Sequence, residues 1–148
     1  MDKIDLLLGK FFGKFSFLGP FVLRSLLGLA FILFGIQKFP LPTEGLIAMG
    51  FTSGSATIIP LIEVGAGIGL LAAGFLKGAG GRILTRLSAL VIFVFMIAAI
   101  IIAHQDWLIN EKLFKSIQIF LLGISFYFLV SPETIWNVRD KKVMEDLS

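Results

Sequence analysis

Four long apolar stretches, separated by shorter polar connections, dominate the pattern of this chain. They cover about residues 19–38, 58–76, 86–104 and 114–130, and each is near the roughly 17–25 residues that a helix needs to cross a bilayer. The pattern predicts an all-α integral membrane protein, built as a four-helix bundle. No small-residue cleavage site follows the first stretch, so we expect it to remain as the first span rather than to be removed as a signal peptide.

The connections between the spans differ in composition. Residues 39–57 are rich in Gly, Pro, Ser and Thr, and their apolar centre at 42–49 predicts a short helix in the loop on the outer side. Residues 77–85 carry two basic side chains among glycines and predict a tight basic turn. A proline opens a polar tail at 132–148, which we expect to be cytoplasmic.

The segment before the first span has helical periodicity. Within residues 1–16 the lysines at 3, 10 and 14 fall on one side, and large apolar side chains fall on the other. This pattern predicts an amphipathic helix lying in the headgroup region, and an unstructured basic tail is the alternative. The apolar positions are Ile4, Leu7, Leu8, Phe11, Phe12 and Phe15.

The composition strengthens the membrane interpretation. Hydrophobic residues make up 57% of the 148 residues and the mean hydropathy is +0.95, more than a soluble single domain can bury. The absence of cysteine excludes disulfides, thiolate nucleophiles and iron–sulfur ligation, and the single histidine excludes bis-histidine haem ligation by this chain alone. No metal site is predicted, and the net charge of +3 gives no indication of a nucleic-acid partner.

The lysines and arginines of the connections predict the orientation in a plasma or inner membrane. Nine of them fall on one side of the predicted bundle and three on the other. Because positive charge accumulates on the cytoplasmic side, both termini are expected to be cytoplasmic. The nine are Lys3, Lys10, Lys14, Lys77, Arg82, Arg86, Arg139, Lys141 and Lys142, and the three are Lys38, Lys112 and Lys115.

Three ionisable residues reach similar depths near the outer leaflet. Lys38 closes the first span, Glu63 lies one to two turns into the second, and His104 closes the third. Gln37 is adjacent to Lys38 in sequence. Since ionisable groups in a membrane usually form pairs or line sites, this arrangement predicts a polar pocket under the loop 39–57.

Helical spacing places these residues on stripes that are expected to face inward. On the first span the stripe also contains glycines, which allow another backbone or a ligand to approach closely. The three stripes are Arg24, Gly28, Phe31, Gly35 and Lys38; Glu63, Gly67, Leu70 and Gly74; and Arg86, Leu90, Phe93, Ile97, Ile100 and His104.

Each charged residue also has a purely structural interpretation. Lys38 at a helix end could extend to the headgroups, and Glu63 could be stabilised by a helix N-terminus or by an ion pair with Lys38. His104 could simply be a polar residue that ends its helix at the membrane interface. Arg24 lies about one turn from the predicted cytoplasmic boundary, where it could also extend to the headgroups, or it could pair with Tyr127 on the returning fourth span.

Two of the apolar stretches resemble the DoxX/DoxD family of small four-helix membrane proteins. Residues 23–39, LRSLLGLAFILFGIQKF, resemble the first-helix signature of that family, with its Arg, Gly and Lys at Arg24, Gly35 and Lys38. Residues 59–75, IPLIEVGAGIGLLAAGF, resemble its second-helix segment, with its Glu and Gly at Glu63 and Gly67. The similarity extends over about residues 20–130, and it includes the RLSAL sequence and the histidine that ends the third helix.

The resemblance implies a four-helix membrane fold and, through relatives associated with a thiosulfate:quinone oxidoreductase, a link to quinone chemistry. The first hypothesis is therefore a membrane subunit of a redox complex that binds a quinone. Glu63 and His104 would exchange protons, and Lys38 would polarise a carbonyl oxygen, with Gln37, Arg24, Gly35, Gly67 and Tyr127 as further ligand-binding candidates. The alternatives are a non-catalytic accessory or assembly subunit with a protein partner, or with a second copy of the chain, and a small transporter.

Overall fold

The computed structural model describes residues 11–13, 15, 18–103 and 111–132, and every regular element in that part of the chain is a helix. The predicted amphipathic helix therefore lies largely outside the described residues, although residues 11–13 are helical and Phe11, Phe12 and Phe15 are exposed. His104 and most of the tail also lie outside them. The helices are α1 (Leu18–Ile36), α2 (Glu44–Ala48), α3 (Ser53–Phe75), α4 (Gly78–Ala103), α5 (Glu111–Lys115) and α6 (Ile117–Val130).

Three of these helices are long and apolar enough to cross a membrane: Leu18–Ile36, Ser53–Phe75 and Gly78–Ile102. The fourth apolar helix, Ile117–Val130, has 14 residues and a length of about 21 Å, less than the ~30 Å of a hydrocarbon core. Large apolar side chains point away from the bundle on all four, as expected for lipid contact. The fold is therefore helical and of membrane type.

The helices pack in the order α1, α3, α4, α6, and α6 also touches α1. Their contact faces form one apolar core in the middle of the bundle. It consists of Leu27, Phe31, Ala66, Leu70, Ala89, Ile92, Met96, Leu121 and Phe128.

Close approach of α1 and α3 depends on glycines on both helices. A Cβ atom at Gly67 would lie 2.6 Å from the backbone oxygen of Gly28, and one at Gly35 would lie 2.8 Å from the backbone oxygen of Pro60. All three glycines are buried, as the predicted stripes required. Backbone-to-backbone contact of this kind holds membrane helices together because lipid offers no hydrophobic driving force between them.

The prediction of a tight turn at residues 77–85 is wrong. Only Leu76 and Lys77 separate α3 from α4, and Gly78, with a φ of +71°, begins the new helix. Gly81 makes this short connection possible, since a Cβ there would lie 2.5 Å from the oxygen of Leu76. Most of the expected turn is therefore the first two turns of α4.

The inward stripe predicted for the third span holds only in part: Ile100 is buried and Phe93 is half-buried. Arg86 and Leu90 are exposed, and Ile97 borders on exposed with 36% of its surface accessible. The face that packs against α3 and α6 is shifted around the helix, because the small residues there allow closer packing than the predicted stripe would. Its buried members are Gly81, Thr85, Ser88, Ala89, Ile92, Met96 and Ile100.

We expect Gly67→Ala to destabilise the protein by about 1–3 kcal/mol, since the new methyl group would meet backbone atoms of Gly28 and Ile32 as well as the Ile32 side chain. The matched control is Gly65→Ala on the same helix, where nothing lies within 4 Å of the added Cβ. Alanine has a better helix propensity, so this control should be neutral or slightly stabilising. Thermal unfolding in mild detergent measures both, and equal melting temperatures would contradict the close contact.

Candidate functional site

An ion pair between Lys38 and Glu63 joins the end of α1 to α3. The Nζ atom of Lys38 donates hydrogen bonds to both carboxylate oxygens of Glu63. The Glu63 side chain is 7% exposed and that of Lys38 is 30% exposed. The ion pair that the sequence suggested as one alternative therefore forms.

This ion pair forms part of the wall of a cavity of about 330 Å³ between α3, α4 and the loop that contains α2. Among the described residues the other lining side chains are apolar: Leu46, Met49, Phe51, Ile59, Val94, Phe95, Met96, Ala98, Ala99 and Ile102. A cavity therefore does lie under the predicted loop, and the ion pair supplies polar groups to its wall. The contribution predicted for His104 lies outside the described residues.

The loop over the cavity is fastened at Thr43. Its hydroxyl donates to the backbone oxygen of Lys38 (2.8 Å), and its backbone N–H donates to the oxygen of Ala56 (3.2 Å). Ala56 precedes Pro60 by one turn, and a proline has no N–H to satisfy that oxygen within α3. The helix-interior proline thus leaves an acceptor that the loop uses, and α2 begins at the next residue, Glu44.

The predicted site residues fall into separate groups. Lys38 and Glu63 come together at the cavity, whereas Gln37 is exposed and does not line it. Gly35 and Gly67 lie in the α1–α3 contact instead of the cavity wall. His104 lies outside the described residues.

Arg24 occupies a second, separate polar cluster near the other end of α1. It is 3% exposed, and its Nη1 atom donates to the backbone oxygen of Leu70 (3.0 Å) and to Oγ1 of Thr85 (2.9 Å). Its guanidinium carbon lies 4.7 Å from the ring centroid of Phe128, a cation–π contact. Tyr127, the partner that the sequence suggested, is half-buried beside Phe128, with the two ring centroids 5.1 Å apart, and its pairing with Arg24 stays a prediction.

The sequence analysis missed Thr85, which connects α4 to this cluster. Its hydroxyl accepts from Arg24 and donates to the backbone oxygen of Gly81 (2.8 Å), so both of its hydrogen-bonding roles are used. Thr85 is spaced from Ala89, Ile92 and Met96 as residues on one face of a helix are, and this spacing could have indicated that Thr85 faces the bundle interior. The glycine-rich segment before it suggested a turn, which hid that periodicity.

Glycine also makes room for Arg24. A Cβ at Gly74 would lie 2.8 Å from Cδ of Arg24, so the arginine side chain passes across α3 at a position that admits no side chain. The cluster therefore links four helices: α1 through Arg24, α3 through Leu70, α4 through Thr85 and α6 through Phe128.

No protein-family model, curated protein or solved structure matches this chain. Within the described parts of the chain, no group of three or more His, Asp or Glu side chains could hold a metal ion. The site is therefore defined by its own geometry: an apolar cavity, an ion pair in its wall and a fastened loop above it.

We expect Lys38→Met to destabilise the protein, because the buried Glu63 carboxyl would lose its partner. The loss should be smaller than the roughly 3–5 kcal/mol of a fully buried pair, because Lys38 is partly exposed. The double variant Lys38→Met with Glu63→Gln should recover most of that loss. A double-mutant cycle of unfolding free energies measures the coupling. Additive losses would mean that the two side chains do not interact.

We expect Arg24→Lys to destabilise the protein by about 1–3 kcal/mol, because an ammonium group lacks the planar fork that stacks on Phe128 and reaches two acceptors. Arg86→Lys is the matched control, since Arg86 is exposed on α4. Unfolding free energies measured in mixed micelles compare the Arg24→Lys and Arg86→Lys variants. A loss at Arg86 as large as that at Arg24 would contradict the assigned network.

Proposed function

We propose that this protein is a DoxX-like integral membrane protein that binds a quinone, or a similar neutral ring with an isoprenoid tail, in the cavity beside Lys38 and Glu63. The observation that carries the proposal is the ion pair in a cavity wall whose other described side chains are apolar. Ligand sites commonly combine a mostly apolar surface with a few polar groups that fix orientation. The resemblance of residues 23–39 and 59–75 to the DoxX/DoxD family supports the same assignment.

The ion pair favours a neutral ligand with a hydrogen-bond acceptor. An ammonium group has three N–H donors, and Lys38 directs donors to both oxygens of Glu63. A further donor can bind a carbonyl oxygen of the ligand while the pair stays intact. A carboxylate ligand would instead meet the negative charge of Glu63, so a neutral carbonyl compound fits better than a fatty acid.

The cavity volume suits a ring rather than a whole lipid. About 330 Å³ lies at the lower end of the roughly 300–1,000 Å³ typical of small-molecule sites. The cavity is therefore large enough for a substituted ring and the first part of a tail. Phe51 and Phe95 supply aromatic surface against such a ring.

A redox role would require proton exchange at the ring. In this proposal Lys38 polarises a carbonyl oxygen of the quinone, Glu63 exchanges the proton, and His104 completes the path to the outer side. The proposed topology has four spans, with α5 and α6 together forming the last, and both termini in the cytoplasm. The protein would act as a membrane subunit of a quinone-linked complex, and another, redox-active subunit of that complex would donate or accept the two electrons that accompany the two protons.

A second candidate is a non-catalytic accessory subunit. It is favoured by the charged groups being internally satisfied: no buried side-chain nitrogen or oxygen within the described segments lacks a hydrogen-bond partner. Arg24 then fixes the bundle, and the ion pair holds α1 against α3. The outward apolar faces would bind a partner protein in the membrane.

We expect purified wild-type protein to retain a quinone through mild-detergent purification, and Glu63→Gln to retain far less. The matched control is Glu44→Gln, which removes an exposed carboxylate from the loop helix without touching the cavity. Mass spectrometry of bound small molecules, followed by titration with a short-tail ubiquinone analogue, gives the comparison. Retention equal in all three proteins would place the ligand elsewhere.

A second variant separates ligand binding from folding, since Glu63→Gln also alters the ion pair. Ala98→Phe fills the cavity with a ring, and Ala72→Phe places the same ring on an exposed position of α3. Ala98→Phe should lose the quinone while keeping the wild-type melting temperature. A stoichiometric protein partner, with no small molecule in any sample, would support the accessory subunit instead.

A further inference from the structure

The cavity opens along the lipid-facing surface of α4. Val94 and Ile102 line it, yet they are 54% and 51% exposed. Side chains that both line a cavity and reach the surface mark its openings: Val94 and Ile102 mark a mouth on α4, and Met49, 61% exposed, marks a second opening in the loop. This mouth therefore lies on the side of the bundle formed by α3 and α4.

The Val94 edge of the mouth lies at the depth of the lipid tails. Val94 is about 24 Å along α4 from Gly78, and the whole helix of 26 residues is about 39 Å long. A hydrocarbon core is about 30 Å thick, so a helix that spans it places Val94 well inside. Leu87 and Leu90 lie on the same exposed surface, so this surface of α4 stays apolar from Val94 toward the N-terminal end of the helix.

The opposite approach, from water, passes the loop that contains α2. Leu46 and Phe51 of this loop lie over the cavity and are half-buried. Thr43 fastens the loop to both α1 and α3 through its two hydrogen bonds. A ligand arriving from water would have to enter beside Met49, past a loop that these hydrogen bonds hold in place, whereas one arriving from the bilayer passes only apolar side chains of α4.

We infer that the ligand enters the cavity sideways from the bilayer, between α3 and α4, past Val94 and Ile102. This inference rests on the proposed function, and it deepens it by fixing the class of ligand. The ligand is a molecule that partitions into lipid tails and presents a neutral carbonyl to Lys38. The loop over the cavity separates this carbonyl from water.

The test measures exchange of a radiolabelled short-tail ubiquinone analogue in proteoliposomes. Val94→Trp puts a large ring in the mouth, and Leu90→Trp puts the same ring one turn away on an exposed position that does not line the cavity. Thr43→Val loosens the loop side, because it removes the hydroxyl that donates to the backbone oxygen of Lys38 without changing a residue that lines the cavity. Ile102→Trp gives an independent obstruction at the other edge of the mouth.

Val94→Trp and Ile102→Trp are expected to slow both uptake and release by at least about tenfold, while Leu90→Trp and Thr43→Val stay within about twofold of wild type. Faster exchange in Thr43→Val with normal exchange in Val94→Trp would overturn the inference and indicate entry from water. Normal exchange in all four variants would also overturn it. Absence of saturable uptake by the wild-type protein would instead defeat the proposed function itself, and the inference with it.

Discussion

The close backbone contact between α1 and α3 is the constraint on which the other features depend. Glycines at 28, 35 and 67 let the two helices meet without intervening side chains. That contact sets the relative positions of everything farther along both helices. At one end it brings Lys38 to Glu63, and at the other it lays Arg24 across α3 at Gly74. Two polar clusters in an apolar protein thus follow from one packing contact.

The two clusters have different characters. Arg24 is enclosed by four helices and its contacts are internal, so its main effect is to fix their arrangement. The Lys38–Glu63 pair has the same type of charge-assisted hydrogen bond but borders a cavity. The same type of hydrogen bond therefore lies inside the bundle in one place and in a cavity wall in the other. Pro60 adds to this second role because it leaves the Ala56 oxygen to hold the loop through Thr43.

The sequence predicted those parts of the fold in which periodicity was strong. The buried stripes on α1 and α3, the ion pair and the loop helix followed from helical spacing and from the depth of Lys38 and Glu63. The start of α4 was not predicted. Glycines are typical of turns, and the sequence does not show that Gly81 is needed for its close contact with Leu76. The role of Thr85 and the apolar nature of the cavity depend on how α4 is rotated, which spacing along one helix cannot specify.

The most direct measurement is the dipolar coupling between the Lys38 side-chain nitrogen and the Glu63 carboxylate carbon, by solid-state NMR on isotope-labelled protein in bilayers. The signal is assigned by its loss in Glu63→Gln. The account predicts a strong coupling that fits direct contact, and a weakened one in Gly67→Ala, where the helices are forced apart. A coupling absent from the wild-type protein, or unchanged in Gly67→Ala, would contradict the claim that helix contact creates the ion pair beside the cavity.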